Sequence, residues 1–113
     1  MSNNHINYIE FKATDLDATK AFYGAAFNWS FTDYGPDYIA FSEAGVEGGF
    51  ERSTAEIING VLVVLYHEDL KLIKDQILQA NGVITQDIFS FPGGHRFHFL
   101  DPSGNELAVW SDK

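Results

Sequence analysis

Three side chains in this chain have types and spacings suited to chemistry: Glu10, Arg96 and His98. Arg96 and His98 lie in Arg96-Phe97-His98-Phe99-Leu100, where the alternation has the period of a strand with one buried face. They therefore share a face with Leu100, while Phe97 and Phe99 occupy the opposite one. Glu10 shares a face with Tyr8 for the same reason, since Ile6, Tyr8, Glu10 and Lys12 alternate with Asn7, Ile9, Phe11 and Ala13. An arginine fork grips a carboxylate or phosphate through two parallel hydrogen bonds, and His or Glu moves a proton near neutral pH. Two uses of the trio follow. The three can neutralise one another in a buried ion pair, as charges inside a domain must. Alternatively, Arg96 holds an anionic group of a ligand, and His98 or Glu10 acts as the catalytic acid or base. The remaining histidines suggest less: His5 and His67 are expected to be exposed, and His95, after Gly93-Gly94, to lie on a rim.

The elements that would position these residues are readable in order. His5 to Lys12 is strand-like. Thr14-Asp15-Leu16-Asp17 caps a helix whose Leu16, Thr19, Phe22/Tyr23 and Ala26/Phe27 form one stripe, with Asn28 as its stop. Strands follow over Trp29 to Tyr34, Tyr38 to Glu43 and about Gly49 to Arg52, separated by turns at Gly35-Pro36-Asp37 and Ala44-Gly45-Val46. Ser53 to Gly60 reads as a linker. Val61 to Tyr66 is a second strand of this kind, and a helix starting at Glu68-Asp69-Leu70 buries Leu70, Ile73, Ile77 and Ala80 before stopping at Asn81-Gly82. Val83 to Phe89 is a strand and Ser90 to Gly94 a loop. The chain closes with a hairpin: a strand to Leu100, an Asp101-Pro102 turn, Gly104-Asn105 as two residues tolerant of positive φ, and a last apolar strand.

The two halves overlay at one offset. The interval from Asp15 to Asp69 equals that from Tyr8 to Leu62, so both helices begin seven residues after the matched strand position. Self-similarity at a fixed offset marks a duplicated unit. The expected fold is α+β, two βαβββ modules in a single domain over 1–113, with module 1 at 1–57 and module 2 at 58–113.

Composition narrows the function classes. Apolar residues make up 45% of the chain and ten are Phe, enough for a packed core or an aromatic-lined pocket. There is no Cys, so disulfides and thiol chemistry are excluded. The formal net charge of −9 repels phosphates and anionic lipid, so neither nucleic acid nor membrane is an expected partner. No run approaches the roughly 18 apolar residues of a membrane span, and no secretory signal is visible; a cytoplasmic location is expected. Phosphate-cradling, dinucleotide-binding and nucleophile-elbow motifs are absent.

Four segments in order carry a family resemblance: Asp15-Leu16 through Phe22-Tyr23 to Asn28-Trp29, then Gly48-Gly49-Phe50, the second helix, and Asp101-Pro102-Ser103-Gly104-Asn105. Together they resemble the vicinal oxygen chelate superfamily of glyoxalases, bleomycin- and fosfomycin-resistance proteins and extradiol dioxygenases. The resemblance implies curved mixed sheets enclosing a cup, with the active site inside it, and a homodimer. It also implies metal ligands on four strands. Carried over, those positions fall on Tyr8, Leu62 and Ala108, with the fourth near Gly48 to Phe50, where only Glu47 and Glu51 flank it. Leu and Ala cannot ligate an ion, so no metal and no other cofactor is expected. Tyr8, Glu10, Tyr38, Ser42, Arg96, His98 and Trp110 are implied to line the cup.

The function expected from this resemblance is metal-independent binding of a small organic molecule, with the acidic surface favouring a cationic ligand and Tyr8, Tyr38 and Trp110 available to stack on it. Two alternatives stand beside it. One is a lyase, isomerase or transferase that uses a non-standard metal site or Glu10/His98 acid–base chemistry. The other is a non-catalytic interaction domain whose cup is filled by its own side chains.

Overall fold

Two four-stranded sheets with the same connectivity make up the structure, a computed structural model that describes residues 2–113. The first contains β1 (Tyr8–Ala13), β2 (Ser30–Asp33), β3 (Tyr38–Ser42) and β4 (Glu47–Arg52), with α1 (Leu16–Phe27) between β1 and β2. The second repeats the pattern with β5 (Val63–Tyr66), α2 (Leu70–Gln79), β6 (Val83–Phe91), β7 (Gly94–Leu100) and β8 (Glu106–Ser111). Strand orders are β1-β4-β3-β2 and β5-β8-β7-β6. In each sheet the first strand runs parallel to the last and the other pairs are antiparallel. The fold is α+β, a βαβββ unit formed twice.

Both helices start where a short acidic side chain satisfies a free N–H. The Asp15 carboxylate accepts from Ala18 N at 3.0 Å, and that of Asp69 from Leu72 N at 3.1 Å. Asn28 closes α1 in the left-handed conformation at φ 64°. The helical stripes are those expected, except that Ala80 caps α2 and is half-buried. Phe22, Tyr23, Phe50, Phe97 and Phe99 are fully enclosed where α1 meets both sheets. Aromatic rings thus build the core shared by the two units.

Asp101 fastens the units together. Its buried carboxylate accepts from Tyr23 Oη (2.8 Å), Ser103 N (3.0 Å), Asn105 N (2.9 Å) and Asn105 Nδ2 (3.0 Å). Asn105 Nδ2 also donates to Lys12 O at 2.8 Å, and Ser103 Oγ accepts from Thr14 N at 2.9 Å. The turn is therefore more than a reversal. Gly104 takes positive φ (97°) as expected, but among the described residues Asn105 does not, because its amide is committed to this network.

Burial beside the Asp101 carboxylate pushes the Tyr23 hydroxyl well above its ordinary value of 10.0. The native state then keeps a proton that the unfolded chain releases. This contribution is intact below pH 10 and disappears as the pH climbs toward the native-state value, by about 1.4 kcal/mol per pH unit. Urea unfolding between pH 8 and 11.5 should show this decline for the wild type and a shallower one for Tyr23→Phe; parallel curves would remove Tyr23 as the cause.

Several boundaries differ from those read in the sequence. The Ser90–Gly94 loop shrinks to a two-residue turn at Pro92-Gly93, because β6 continues to Phe91 and pairs with Gly94. Strand β5 starts at Val63 and leaves Leu62 just outside it; β1 starts at Tyr8. Two register shifts, between Ile84 and Gln86 and between Gln86 and Phe89, insert extra residues into β6. They keep Ile84 and Ile88 against the core while Phe89 pairs with Arg96 on the face away from the helices.

Candidate functional site

Each sheet packs one face on the helices and turns the other away. On the second sheet that open face is set by cross-strand partners: His98 with Ala108, Arg96 with Trp110, and Phe89 with Arg96. His98 is only 8% exposed. Its Nδ1 lies 3.2 Å from Glu106 Oε2, which also accepts from Thr85 Oγ1 at 3.2 Å. A hydrogen on Nδ1 donated to Glu106 leaves Nε2 as the free ring nitrogen, and this atom is buried with no partner. Arg96 lies over the rings of Phe89 and Phe91, at 5.3 and 5.6 Å from their centroids, and its Nε is likewise buried without a partner. Phe91 and Tyr66 both reach Trp110, at 6.3 and 5.3 Å between centroids. The result is an aromatic frame around two polar side chains.

The first sheet carries a different cluster. Tyr8 Oη and Tyr38 Oη share a hydrogen bond of 2.5 Å. Partial burial, that bond and the nearby Glu10 carboxylate all raise the Tyr38 hydroxyl far above its usual range, so it stays neutral. Glu10 is 3.8 Å from Lys12 Nζ, which also pairs with Glu51. Gly49 makes this arrangement feasible: a Cβ there would lie 2.3 Å from Tyr38 Oη, so the ring rests where only glycine leaves space. Parallel pairing puts Glu47 opposite Tyr8 and Glu51 opposite Lys12 on the same face.

A cavity of about 530 Å³ connects the two sheets, with Tyr8, Glu10 and Lys12 on one side and Val61, Val63 and Glu106 on the other. This size suits a small ligand. A larger cavity of about 780 Å³ lies by Phe11, Phe27, Trp29, Phe41, Val63 and Leu65, and contains none of the residues expected to line the cup.

The expected residues thus fall into two groups. Tyr8, Glu10 and Tyr38 form one, and Arg96, His98 and Trp110 the other; half-buried Ser42 makes no side-chain hydrogen bond to either among the described residues. The ion pair among Glu10, Arg96 and His98 does not form, because Glu10 is taken up by Lys12 and His98 by Glu106. His5 is exposed as expected, while His67 is half-buried and accepts from Asp69 N at 2.9 Å. His95 is half-buried at the start of β7, beside Lys113 O. Sequence reasoning missed Glu106, Phe89 and Phe91. Simple alternation from Ala108 and Trp110 would have found Glu106, but the register shifts in β6 obscured Phe89.

The side chains at the carried-over metal positions do not fit an ion. Leu62 and Ala108 offer no donor atom, and the Tyr8 hydroxyl is held by Tyr38. Among the described residues, no group of three or more His, Asp, Glu or Cys converges on a point where a metal could be held. No helix is long and apolar enough to cross a membrane.

Comparison with known proteins agrees with this fold. A family model described as the Glyoxalase/Bleomycin resistance protein/Dioxygenase superfamily matches residues 5–109. No curated protein sequence matches the chain. Among solved structures, a glyoxalase-related enzyme from Fulvimarina pelagi is similar at TM-score 0.83 and 16% identity, over 96% of this chain and 88% of that one. A glyoxalase/bleomycin resistance protein/dioxygenase family enzyme from Burkholderia phytofirmans PsJN is similar at 0.84 and 13%, over 95% and 98%. A lactoylglutathione lyase from Agrobacterium tumefaciens is similar at 0.74 and 19%, over 98% and 96%. At such identities the structures speak for the fold alone.

Proposed function

The chain belongs to the glyoxalase/bleomycin resistance protein/dioxygenase superfamily, and from that premise we propose that it binds a small organic molecule between the open faces of its sheets without a metal ion. One observation carries this reading: Arg96 Nε and His98 Nε2 are buried on an aromatic face without partners. An unsatisfied buried polar atom costs about 1–3 kcal/mol, so a pair on one face favours a bound group that supplies what is missing. Tyr8, Glu10, Tyr38, Ser42, Arg96, His98 and Trp110 make up the binding surface, joined by Glu106, Phe89 and Phe91. In the same reading residues 1–113 are a single domain of module 1 (1–57) and module 2 (58–113). It works in the cytoplasm as a homodimer and contacts neither nucleic acid nor membrane.

A thermal-shift screen of chelator-treated protein against small metabolites and antibiotics tests the proposal. At least one compound should raise the melting temperature by several degrees with chelator present, since ligand at 100 times its Kd contributes about 2.7 kcal/mol. Stabilisation only after a divalent ion is added, or none from any compound, would overturn it.

The Glu106–His98 contact favours a second reading, in which His98 Nε2 exchanges a proton with the ligand while Glu106 orients the ring. Glu10 would then serve the Tyr8–Tyr38 side. Stabilising compounds incubated in deuterated water should exchange a hydrogen or change structure; compounds recovered untouched would leave binding as the whole function.

A further inference from the structure

We infer that the ligand of the second sheet's open face is an organic carboxylate with a planar apolar body, its carboxylate seated on Arg96. This rests on the small-molecule reading above and narrows it to a chemical class.

The chain has seven Lys and Arg against sixteen Asp and Glu, so a basic side chain readily finds a carboxylate. Lys71 and Lys113 are exposed to water, and Lys12, Lys20, Arg52 and Lys74 do find one, in exposed or half-exposed ion pairs. Arg96 does not. Among the described residues it has no acidic partner, and its guanidinium is framed by Phe89 and Phe91. Two ring faces attract the positive charge, but a π face is a poor acceptor for an in-plane N–H, and Nε remains without one. Arginine presents Nε–H and an Nη–H side by side, the geometry that matches both oxygens of one carboxylate.

The neighbours select the rest of the ligand. Phe89 and Phe91 flank the guanidinium with aromatic carbon and Trp110, opposite Arg96 in register, extends that surface from Phe91, a setting for a flat apolar body and not for a hydrated inorganic anion. His98 is two residues along the same strand, about 7 Å from Arg96 by strand geometry, a distance matched by a single ring with polar groups at its opposite ends. Its unpartnered Nε2 can accept from a hydroxyl at the far end of such a molecule. A cationic ligand would bring like charge to the guanidinium, and a neutral one would leave it uncompensated. The net charge of −9 opposes any anion at long range, so affinity for a carboxylate must come from these contacts.

The test uses the full ¹⁵N-labelled chain, with benzoate as probe and benzamide as its neutral counterpart, followed by NMR. Benzoate should shift the Arg96 Nε–H resonance and the β7 amides in a saturable way, with benzamide at least tenfold weaker. Arg96→Met should weaken benzoate at least tenfold, Arg96→Lys should restore part of that loss, and Arg52→Gln should change nothing. Acetate and inorganic phosphate, run in parallel, should bind more weakly than benzoate. If Arg96→Met does not fold, the benzoate-to-benzamide ratio in the wild type decides. Equal affinities, benzoate shifts centred away from β7, or undiminished binding by a folded Arg96→Met protein would overturn the inference. Should benzamide or a screened cation occupy the face as well as benzoate does, the carboxylate assignment falls and small-molecule binding stands. If no compound binds in either assay, both fall.

Discussion

Replacing Asp101 with Ala is expected to lower the unfolding free energy by about 3–5 kcal/mol, as removal of one partner from a buried charged network does. The carboxylate is 4% exposed and accepts four hydrogen bonds, from Tyr23, from Ser103 and twice from Asn105. Truncation takes the acceptor from the Tyr23 hydroxyl and from the backbone N–H groups of Ser103 and Asn105, a cost added to the bonds themselves. Because Tyr23 lies on α1, the bond it loses is one that ties the two halves together, and Asn105, which reaches Lys12 O on β1, loses the carboxylate that holds it in place. Asp101→Asn should be nearly as damaging, since its NH₂ would face N–H donors. Tyr23→Phe, which removes a single bond, should cost about 1–2 kcal/mol. Urea denaturation with equal m-values is the measurement. A loss below 1 kcal/mol for Asp101→Ala would show that the turn forms without its carboxylate.

Gly48→Ala is expected to cost at least about 2 kcal/mol, and Gly49→Ala clearly less, although the two residues are adjacent. A Cβ at Gly48 would lie 2.2 Å from the Ile9 carbonyl oxygen and 2.3 Å from Phe41 Cζ. The first obstacle is backbone and the second is a ring buried in the core, so neither yields cheaply. At Gly49 the obstacle is the far end of Tyr38, on the open face of the sheet. That side chain can rotate, giving up its bond to Tyr8 while the fold persists. Paired denaturation curves check the contrast, and equal losses would contradict it. The dipeptide has two separate tasks: Gly48 lets a core ring settle on one face of β4, and Gly49 lets a ring of the candidate site settle on the other.

The sequence by itself determined the elements and their repetition. Helix starts at Asp15 and Asp69, the stop at Asn28 and the faces of β1 and β7 depend on contacts within a few residues, so periodicity and capping chemistry reveal them. Alternation likewise put Arg96 and His98 on one face and Phe97 and Phe99 on the other, as found. Partner choice was beyond its reach. Glu10 looked like the counterpart of His98, yet strand pairing delivers Glu106 to that nitrogen and leaves Glu10 with Lys12. The extra residues in β6 that swing Phe89 over Arg96 leave no local trace, because a bulge is defined only against the opposite strand. Asn105 likewise gave up the left-handed turn conformation for bonds to Asp101 and Lys12. A hydrogen-bond partner is settled by which strands lie side by side, and that is decided by the tertiary structure alone.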